Sequence, residues 1–213
     1  VRLPVAREGW PFILPPIALA AAAGVAGVAW AAAFFALLSI FLLSFFRDPE
    51  RAVPADSSAI LSPADGTILS VAAAGPEEAP PGLPTKVVIF MSVFNCHVNR
   101  APATGTIVSY AYTPGRKMAA FAPKASIENE QNRIELSGAA GRVVFKQIAG
   151  ALARRIVFRK KPGDVVAAGE RIGMIRFGSR VDLFLPENAR IDVVRGARVK
   201  AGLSLVGRFA AAP

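Results

Sequence analysis

Residues 9–46 carry no charged side chain, and no other feature of this chain limits its fold so strongly. A helix needs about 20 consecutive apolar residues to cross a bilayer, and this run is almost twice that length. A domain of this size could not bury so long an uncharged stretch as a core helix. The run is also too long for a signal peptide. It therefore predicts a membrane anchor within residues 1–46. Pro11, Pro15 and Pro16 interrupt its start, while residues 25–46 supply a full pass ending in Phe and Leu. Two geometries fit: a single tilted span, or a tight helical hairpin turning near residues 24–27. Arg2 and Arg7 flank one end, Arg47 and Arg51 the other. Basic residues at both ends favour the hairpin, with both flanks and the following domain on the cytoplasmic face of the cell membrane.

Beyond residue 46 the text changes. The net charge of +10 lies largely there and suits an anionic partner. With an anchor alongside, acidic membrane lipids are the natural choice. Nucleic acid is a poor one, because the aromatics sit mostly in the apolar run and no basic–aromatic platform appears. Cys96 is the only cysteine, which excludes an internal disulfide.

Residues 47–58 read as a polar linker, and residues 59–213 as one β-rich domain. Short apolar runs at 86–93, 106–112, 142–148, 154–158, 171–177 and 190–194 are rich in Val, Ile and Phe and separated by Gly and Pro. That pattern predicts an all-β barrel or sandwich. Residues 118–130 are the best candidate for a short helix or ordered loop. The run Ser62-Pro63-Ala64-Asp65-Gly66-Thr67-Ile68-Leu69-Ser70-Val71 aligns with residues 101–110, matching at Pro, Ala, Gly, Thr, Ile and Ser. Each copy is a Pro-started turn, a glycine, then a strand. A third turn, residues 161–170, leads into another strand. Its Gly-Asp-x-Val-x-x-Gly pattern resembles the hammerhead hairpins of biotinyl and lipoyl carrier domains. The expected fold is therefore mainly β, a barrel or sandwich of related hairpins behind a helical anchor. A flat apolar sheet edge would permit a homodimer.

Few residues stand out chemically. Ser179 follows Gly178 where two strand-like runs meet; a bare Gly-Ser pair is ordinarily just a bulge. A serine-hydrolase elbow is excluded, since Val181 occupies the place of its second glycine. His97 is the only histidine, and Asn95, Asn99 and Arg100 gather around it in an otherwise apolar run. One His, one Cys and scattered acids offer no metal-ligand spacing, so no metal is expected. Asp65 is a natural turn residue, but Thr104 replaces it in the repeat, so the turn itself does not demand an acid. Residues 113–126 mix cations with Met118 and Phe121 and could form a lid over an anionic headgroup. Lys124 and Phe121 in that segment, with Asn99 and Arg100 beside the histidine, are candidate substrate contacts. A membrane-tethered carrier or adaptor is the alternative to an enzyme; it would need a lysine at a hairpin tip, and the 62–66 turn has none.

Taken in order, five motifs resemble the short bacterial and archaeal form of the phosphatidylserine decarboxylase family. They are Phe45-Phe46-Arg47-Asp48-Pro49, then Ser62-Pro63-Ala64-Asp65-Gly66, and Phe94-Asn95-Cys96-His97-Val98-Asn99-Arg100-Ala101-Pro102. Lys124-Ala125-Ser126 with residues 128–132 follows, and last comes the most specific, residues 171–182 around Gly178-Ser179. The resemblance implies an inner-membrane enzyme that converts phosphatidylserine to phosphatidylethanolamine. It implies that Ser179 attacks the Gly178 carbonyl, splitting the chain into a β-chain, 1–178, and an α-chain, 179–213. Ser179 would become a covalent pyruvoyl group that forms a Schiff base with the substrate amine. Glycine at 178, lacking a Cβ, suits the strained backbone this attack needs. His97 matches the family's decarboxylation acid/base and Asp65 the acid of its self-cleavage triad. A second histidine of the longer form is replaced here by Arg100. That leaves the base for self-cleavage open between His97 and Asp65.

Overall fold

The computed structural model describes residues 4–122, 124–151, 155–176 and 179–210. The chain forms two compact units, Val1–Glu50 and Arg51–Pro213.

The first unit is a helical hairpin. α1 (Trp10–Val25) and α2 (Ala29–Phe45) are joined by a turn in which Gly27 takes φ +73°. Such a left-handed backbone favours glycine, so the chain reverses where the sequence offers one. Pro15 and Pro16 lie inside α1 without ending it. The open ends meet: Ala6 N–H donates to Phe46 O at 2.8 Å and Asp48 N–H to Pro4 O at 2.7 Å. Phe12 stacks on Phe46 with centroids 5.5 Å apart. A side chain on Gly9 would collide with Phe46 at 2.6 Å. Leu14, Leu19, Trp30, Phe34, Leu37 and Ile40 all point outward, the reverse of a water-soluble helix pair. The segment Arg7–Val25 is long and apolar enough to cross a membrane. Of the basic flanks, Arg2 lies outside the described residues.

The second unit is mainly β, and its largest sheet curls into a half-barrel. Its strands are β1 (Ala59–Leu61), β2 (Gly66–Ala73), β3 (Thr85–Met91), β4 (Val98–Arg100), β5 (Gly105–Thr113), β6 (Gln131–Gly138) and β7 (Gly141–Ala149). They continue with β8 (Arg155–Phe158), β9 (Val165–Val166), β10 (Arg171–Arg176), β11 (Ser179–Leu185), β12 (Arg190–Ile191), β13 (Arg198–Val199) and β14 (Leu205–Arg208). One helical turn, α3 (Ala125–Glu128), falls inside the segment expected to be helical. The eight-stranded sheet runs β13-β2-β3-β11-β7-β6-β5-β9, flanked by β1-β14-β12 and β4-β10-β8. Its two outer strands, β13 and β9, are only two residues long.

That strand order is symmetric about the β11–β7 pair. β2 and β5 carry the sequence repeat, and each pairs with the next strand through a bulge at the matching place, Ile68/Ser70 and Ile107/Ser109. Their outer partners match as well: Gly66 faces Val199 and Gly105 faces Val166. Those partners belong to turns with paired left-handed glycines, Gly163 and Gly169 at φ +92° and +74°, Gly196 and Gly202 at +89° and +69°. The turn at 163–169 therefore has a twin at 196–202. Reciprocal bonds, Leu61 N–H to Pro102 O at 2.7 Å and Arg100 N–H to Pro63 O at 3.0 Å, link the two copies directly.

Inside the curl lies the main core, including Ile68, Ile89, Met91, Ile107, Leu136, Phe145, Ile172, Val181, Leu183 and Val206. Burying a side chain of this size stabilises a fold by about 1.5–3 kcal/mol. The expected strand at 190–194 stops at Ile191, where Asp192 N–H turns to Val206 O.

Candidate active site

Strand β11 sits at the centre of the large sheet and is buried along its whole length. It pairs with β3 from Ser179↔Met91 to Leu185↔Thr85, and with β7 from Ser179↔Ala149 to Phe184↔Val144. Alternation sends Ser179, Val181 and Leu183 toward the main core and Arg180, Asp182 and Phe184 to the opposite face. Ser179, the first residue of the strand, is fully buried, and its hydroxyl donates to Met91 Sδ at 3.2 Å. Gly178, the other half of the expected cleavage site, lies outside the described residues.

The loop that carries His97 starts at Met91, the ladder partner of Ser179. The chain leaves β3 just after Met91, turns through residues 92–97 and enters β4, which pairs with β10. Asn95 holds the turn, its Oδ1 accepting from Ser92 N–H at 2.8 Å and its N–H donating to Ser92 O at 2.9 Å. Ile175 N–H donates to His97 O at 3.4 Å. The loop thus runs from Met91, the ladder partner of Ser179, to His97, the hydrogen-bond partner of Ile175. His97 is fully buried, and its Nδ1 lies 2.9 Å from Asn95 O. A carbonyl only accepts, so Nδ1 carries the proton and Nε2 is the basic nitrogen of the neutral ring.

The remaining expected residues divide. Asn99 is buried; its Oδ1 accepts from Gln147 Nε2 at 2.8 Å, and its Nδ2 faces Pro63 O at 3.4 Å and Met91 Sδ at 3.9 Å. Asn99 and Ser179 therefore converge on one sulfur. Asp65 is held by Arg51 through two bonds of 2.6 and 2.9 Å, and its Oδ1 accepts from Ala201 N–H at 2.8 Å. Thr104, its mate in the repeat, does the equivalent: Oγ1 accepts from Ala168 N–H at 3.0 Å. Asp65 thus has a structural task that its turn shares with Thr104, plus a buried ion pair that Thr104 lacks. Arg100 is buried and donates to Gly169 O at 3.0 Å. Lys124 is exposed at the start of α3, and Phe121, also exposed, meets Phe90 edge-on at 6.4 Å. Phe121 walls an apolar cavity of about 300 Å³ together with Phe90, Met91, Ala119, Gly150 and Ala151. Since Met91 and the strand ending at Ala149 flank Ser179, the cavity opens beside it.

A group that the motif reading left without a role fills the opposite face of β11. Arg180 pairs with Asp182 at 2.5 Å, and both bond to Ser126. Lys146 lies over the Phe184 ring at 5.6 Å and donates to Ser126 O at 3.3 Å. Burial lowers the Lys146 pKa, against the opposing pull of Glu78 and Asp182. Burial would raise Glu78, but its bond to Lys86 at 2.5 Å, with Ser126 and Lys146 nearby, holds it below the usual carboxylate range. Asn129 pins the segment before α3, donating to Met118 O at 2.9 Å and to Ala149 O at 2.7 Å. The signal for these residues was present as charged side chains inside an otherwise apolar strand, Arg180 and Asp182.

The family model for phosphatidylserine decarboxylase matches residues 38–207. The phosphatidylserine decarboxylase proenzyme of Ralstonia nicotianae is 47% identical over 211 residues, covering 96% of this chain and 95% of its own. That of Nitrosomonas europaea is 45% identical over 210 residues, with 96% and 95% covered. That of Desulfotalea psychrophila is 42% identical over 209 residues, with 98% of each chain covered. The chain belongs to the phosphatidylserine decarboxylase family, a family of enzymes.

Proposed function

We propose that this protein removes the headgroup carboxylate of phosphatidylserine, giving phosphatidylethanolamine, after cutting its own backbone between Gly178 and Ser179. The observation that carries this reading is Ser179 itself, a buried hydroxyl heading the central strand, with the His97 loop starting at its ladder partner Met91. Ser179 Oγ adds to the Gly178 carbonyl carbon, and the amide C–N bond breaks to give an ester and a free amine. Elimination then takes the Cα proton of residue 179 and expels the Gly178 carboxylate. Hydrolysis of the resulting enamine releases ammonia and leaves a ketone on residue 179.

The surroundings suit that group: Met91 and Ala149 on either side are buried and apolar, which keeps water from a reactive carbonyl. Once formed, the ketone supplies the electrophile that engages the substrate amine and takes up the electron pair left as CO₂ departs. His97, basic at Nε2, serves as the base for cleavage and as the proton donor to the α-carbon after decarboxylation. Asp65 is already engaged by Arg51 and the Ala201 amide, which argues against it as the base. Lys124 meets the headgroup phosphate, and Phe121 and the cavity beside Met91 take the apolar part of the lipid. Asn99 and Arg100, bonded to Gln147 and Gly169, support the site from within.

The helical hairpin enters the membrane tip first. Its described charges, Arg7, Glu8, Arg47 and Asp48, all lie at the joined base, and its tip is uncharged. Each helix is about 25 Å long, slightly less than a bilayer core. Basic residues at the base favour a cytoplasmic β-rich unit. The twin turns at 163–169 and 196–202 support kinship with biotinyl and lipoyl carrier hairpins.

Intact mass of the purified protein tests the reading. Two chains split at 178/179, a ketone on the shorter, and CO₂ release from phosphatidylserine are expected. Ser179→Ala stays whole and inactive, and His97→Gln stays whole. A single unmodified 22.3 kDa chain without activity sinks the proposal.

A further inference from the structure

Arg180 would be the second residue of the shorter chain, and its side chain reaches across to the longer one. Its Nε donates to Asp182 Oδ1 at 2.5 Å and its Nη2 to Asp182 Oδ2 at 3.0 Å. Nη2 also donates to Ser126 Oγ at 2.7 Å, and Nη1 to Ala122 O at 3.3 Å. The Ser126 hydroxyl in turn donates to Asp182 Oδ2. Arg180 is 4% exposed, and Asp182 and Ser126 are fully buried. The pairing with Asp182 is local to the strand. The contacts with Ser126 and Ala122 are not, and they hold the segment whose Ala119, Ala120 and Phe121 wall the cavity beside Met91.

We infer that Arg180 is a positioning residue for decarboxylation, an inference that rests on the cleavage reading above. Its guanidinium keeps residue 179 and the 119–122 cavity wall in register once the bond to Gly178 is gone. Before cleavage, Ser179 is held by covalent chain on both sides. Afterwards it is a chain terminus, and termini are poorly ordered unless tied down. Ladder bonds to β3 and β7 secure its backbone, and Lys146 and Asn129 tie the covering segment to β7; the bonds of Arg180 and Asp182 are the ones that tie that segment to the strand of residue 179 itself. One planar group with five donors can bind a carboxylate, a hydroxyl and a carbonyl together, and an ammonium cannot reproduce that fork. The need arises only after the bond breaks, so its loss falls on turnover rather than on cleavage.

The test uses three full-length variants: Arg180→Lys, Ser126→Ala, and the double variant Arg180→Met/Asp182→Leu. The double variant removes both buried charges at once and leaves neither unpaired. Cleavage is read by intact mass, the ketone by hydrazine labelling, and kcat and KM in phosphatidylserine–detergent micelles. All three are expected to cleave fully and carry the ketone. The double variant loses kcat by about 100-fold, the scale of an ångström-sized misplacement, with KM little changed. Arg180→Lys recovers part of that loss, and Ser126→Ala falls between Arg180→Lys and wild type. A double variant with wild-type kcat overturns the inference. So does failure of Arg180→Lys or Ser126→Ala to cleave, which would put the cluster in the bond-breaking step. An uncleaved wild-type protein fails at the first mass measurement, and that failure belongs to the cleavage reading.

Discussion

The two halves of the eight-stranded sheet share a plan but differ at one end. In the second half, β6 and β7 form a tight hairpin closed by Gly138↔Gly141. The first half has the same strand pair in β3 and β11, and the matching place is Met91↔Ser179. There the hairpin is open: the chain leaves at Met91, builds residues 92–178 elsewhere, and returns at Ser179. Ser179 is therefore the counterpart of Gly141, a residue in an ordinary turn. Opening the hairpin brings a buried hydroxyl, a histidine loop and a cavity to a position that in the other half is only a chain reversal.

The same comparison holds one residue further on. Arg180 corresponds to Arg142. Arg142 is partly exposed, bonding Glu135 at 2.6 Å and Pro81 O at 2.9 Å, whereas Arg180 is buried in its cluster. The sheet supplies equivalent positions, and only the covering segment decides whether a charge there is a surface pair or a sealed one.

The largest effect expected from breaking this comparison is at its centre. Ser179→Ala abolishes cleavage and activity, while Gly141→Ala cleaves normally and loses about 1–2 kcal/mol of stability, from its left-handed backbone and the Phe209 ring beside it. Intact mass and thermal melts check both. Next come the arginines: Arg180→Met strands Asp182 and destabilises by about 3–5 kcal/mol. Arg142→Met, at a surface pair, costs less than about 1 kcal/mol. Urea unfolding separates the two, and equal effects would refute the distinction between sealed and open positions.

The turn pair gives a smaller contrast. Asp65→Thr keeps an acceptor for Ala201 N–H but takes the carboxylate from Arg51, which retains Ala201 O, costing about 2–4 kcal/mol, while Thr104→Ala forfeits one hydrogen bond worth about 0.5–1.5 kcal/mol. If Asp65→Thr also blocks cleavage without unfolding, the base assignment moves from His97 to Asp65.

Smallest is a pH effect. Glu78 has its pKa lowered in the folded protein, so in acid the unfolded chain binds more protons. Its contribution is complete above the ordinary value of 4.5 and fades as pH falls through the lower folded value. Melting temperature should drop in that window, and Lys86→Met should flatten the drop.

Much of this organisation was legible in the chain. Absence of charge over residues 9–46 marked an apolar helical unit, and the glycine at 27 allowed it to reverse. The copies at 62–71 and 101–110 declared a duplicated β-unit because their turns retain the same Pro and Gly. The second pair of turns was equally readable, since Gly, Val, Ala and Gly recur at matching places in 163–169 and 196–202. The kinship of β3 with β6 and of β11 with β7 was not legible. Strands conserve a hydrogen-bonding register more than side chains: the counterpart of Thr85-Lys86-Val87-Val88 is Asn132-Arg133-Ile134-Glu135, in which only the cation and the branched residue after it recur. The Arg180 cluster was hidden for another reason: Ser126 lies 54 residues away, and no local pattern announces such a contact.

By itself, then, the sequence determined the kinds of parts and the order of the motif residues: an apolar helical segment, a repeated β-unit, one histidine and one Gly-Ser step. Chain chemistry is local, so charge, turn preference and residue type can be read directly. Tertiary structure alone decided that Ser179 lies at an opened hairpin, that Asp65 is tied to Arg51 and that Arg100 turns to Gly169. Burial and partner choice depend on what other segments bring to the same point in space, and that is a property of the folded chain.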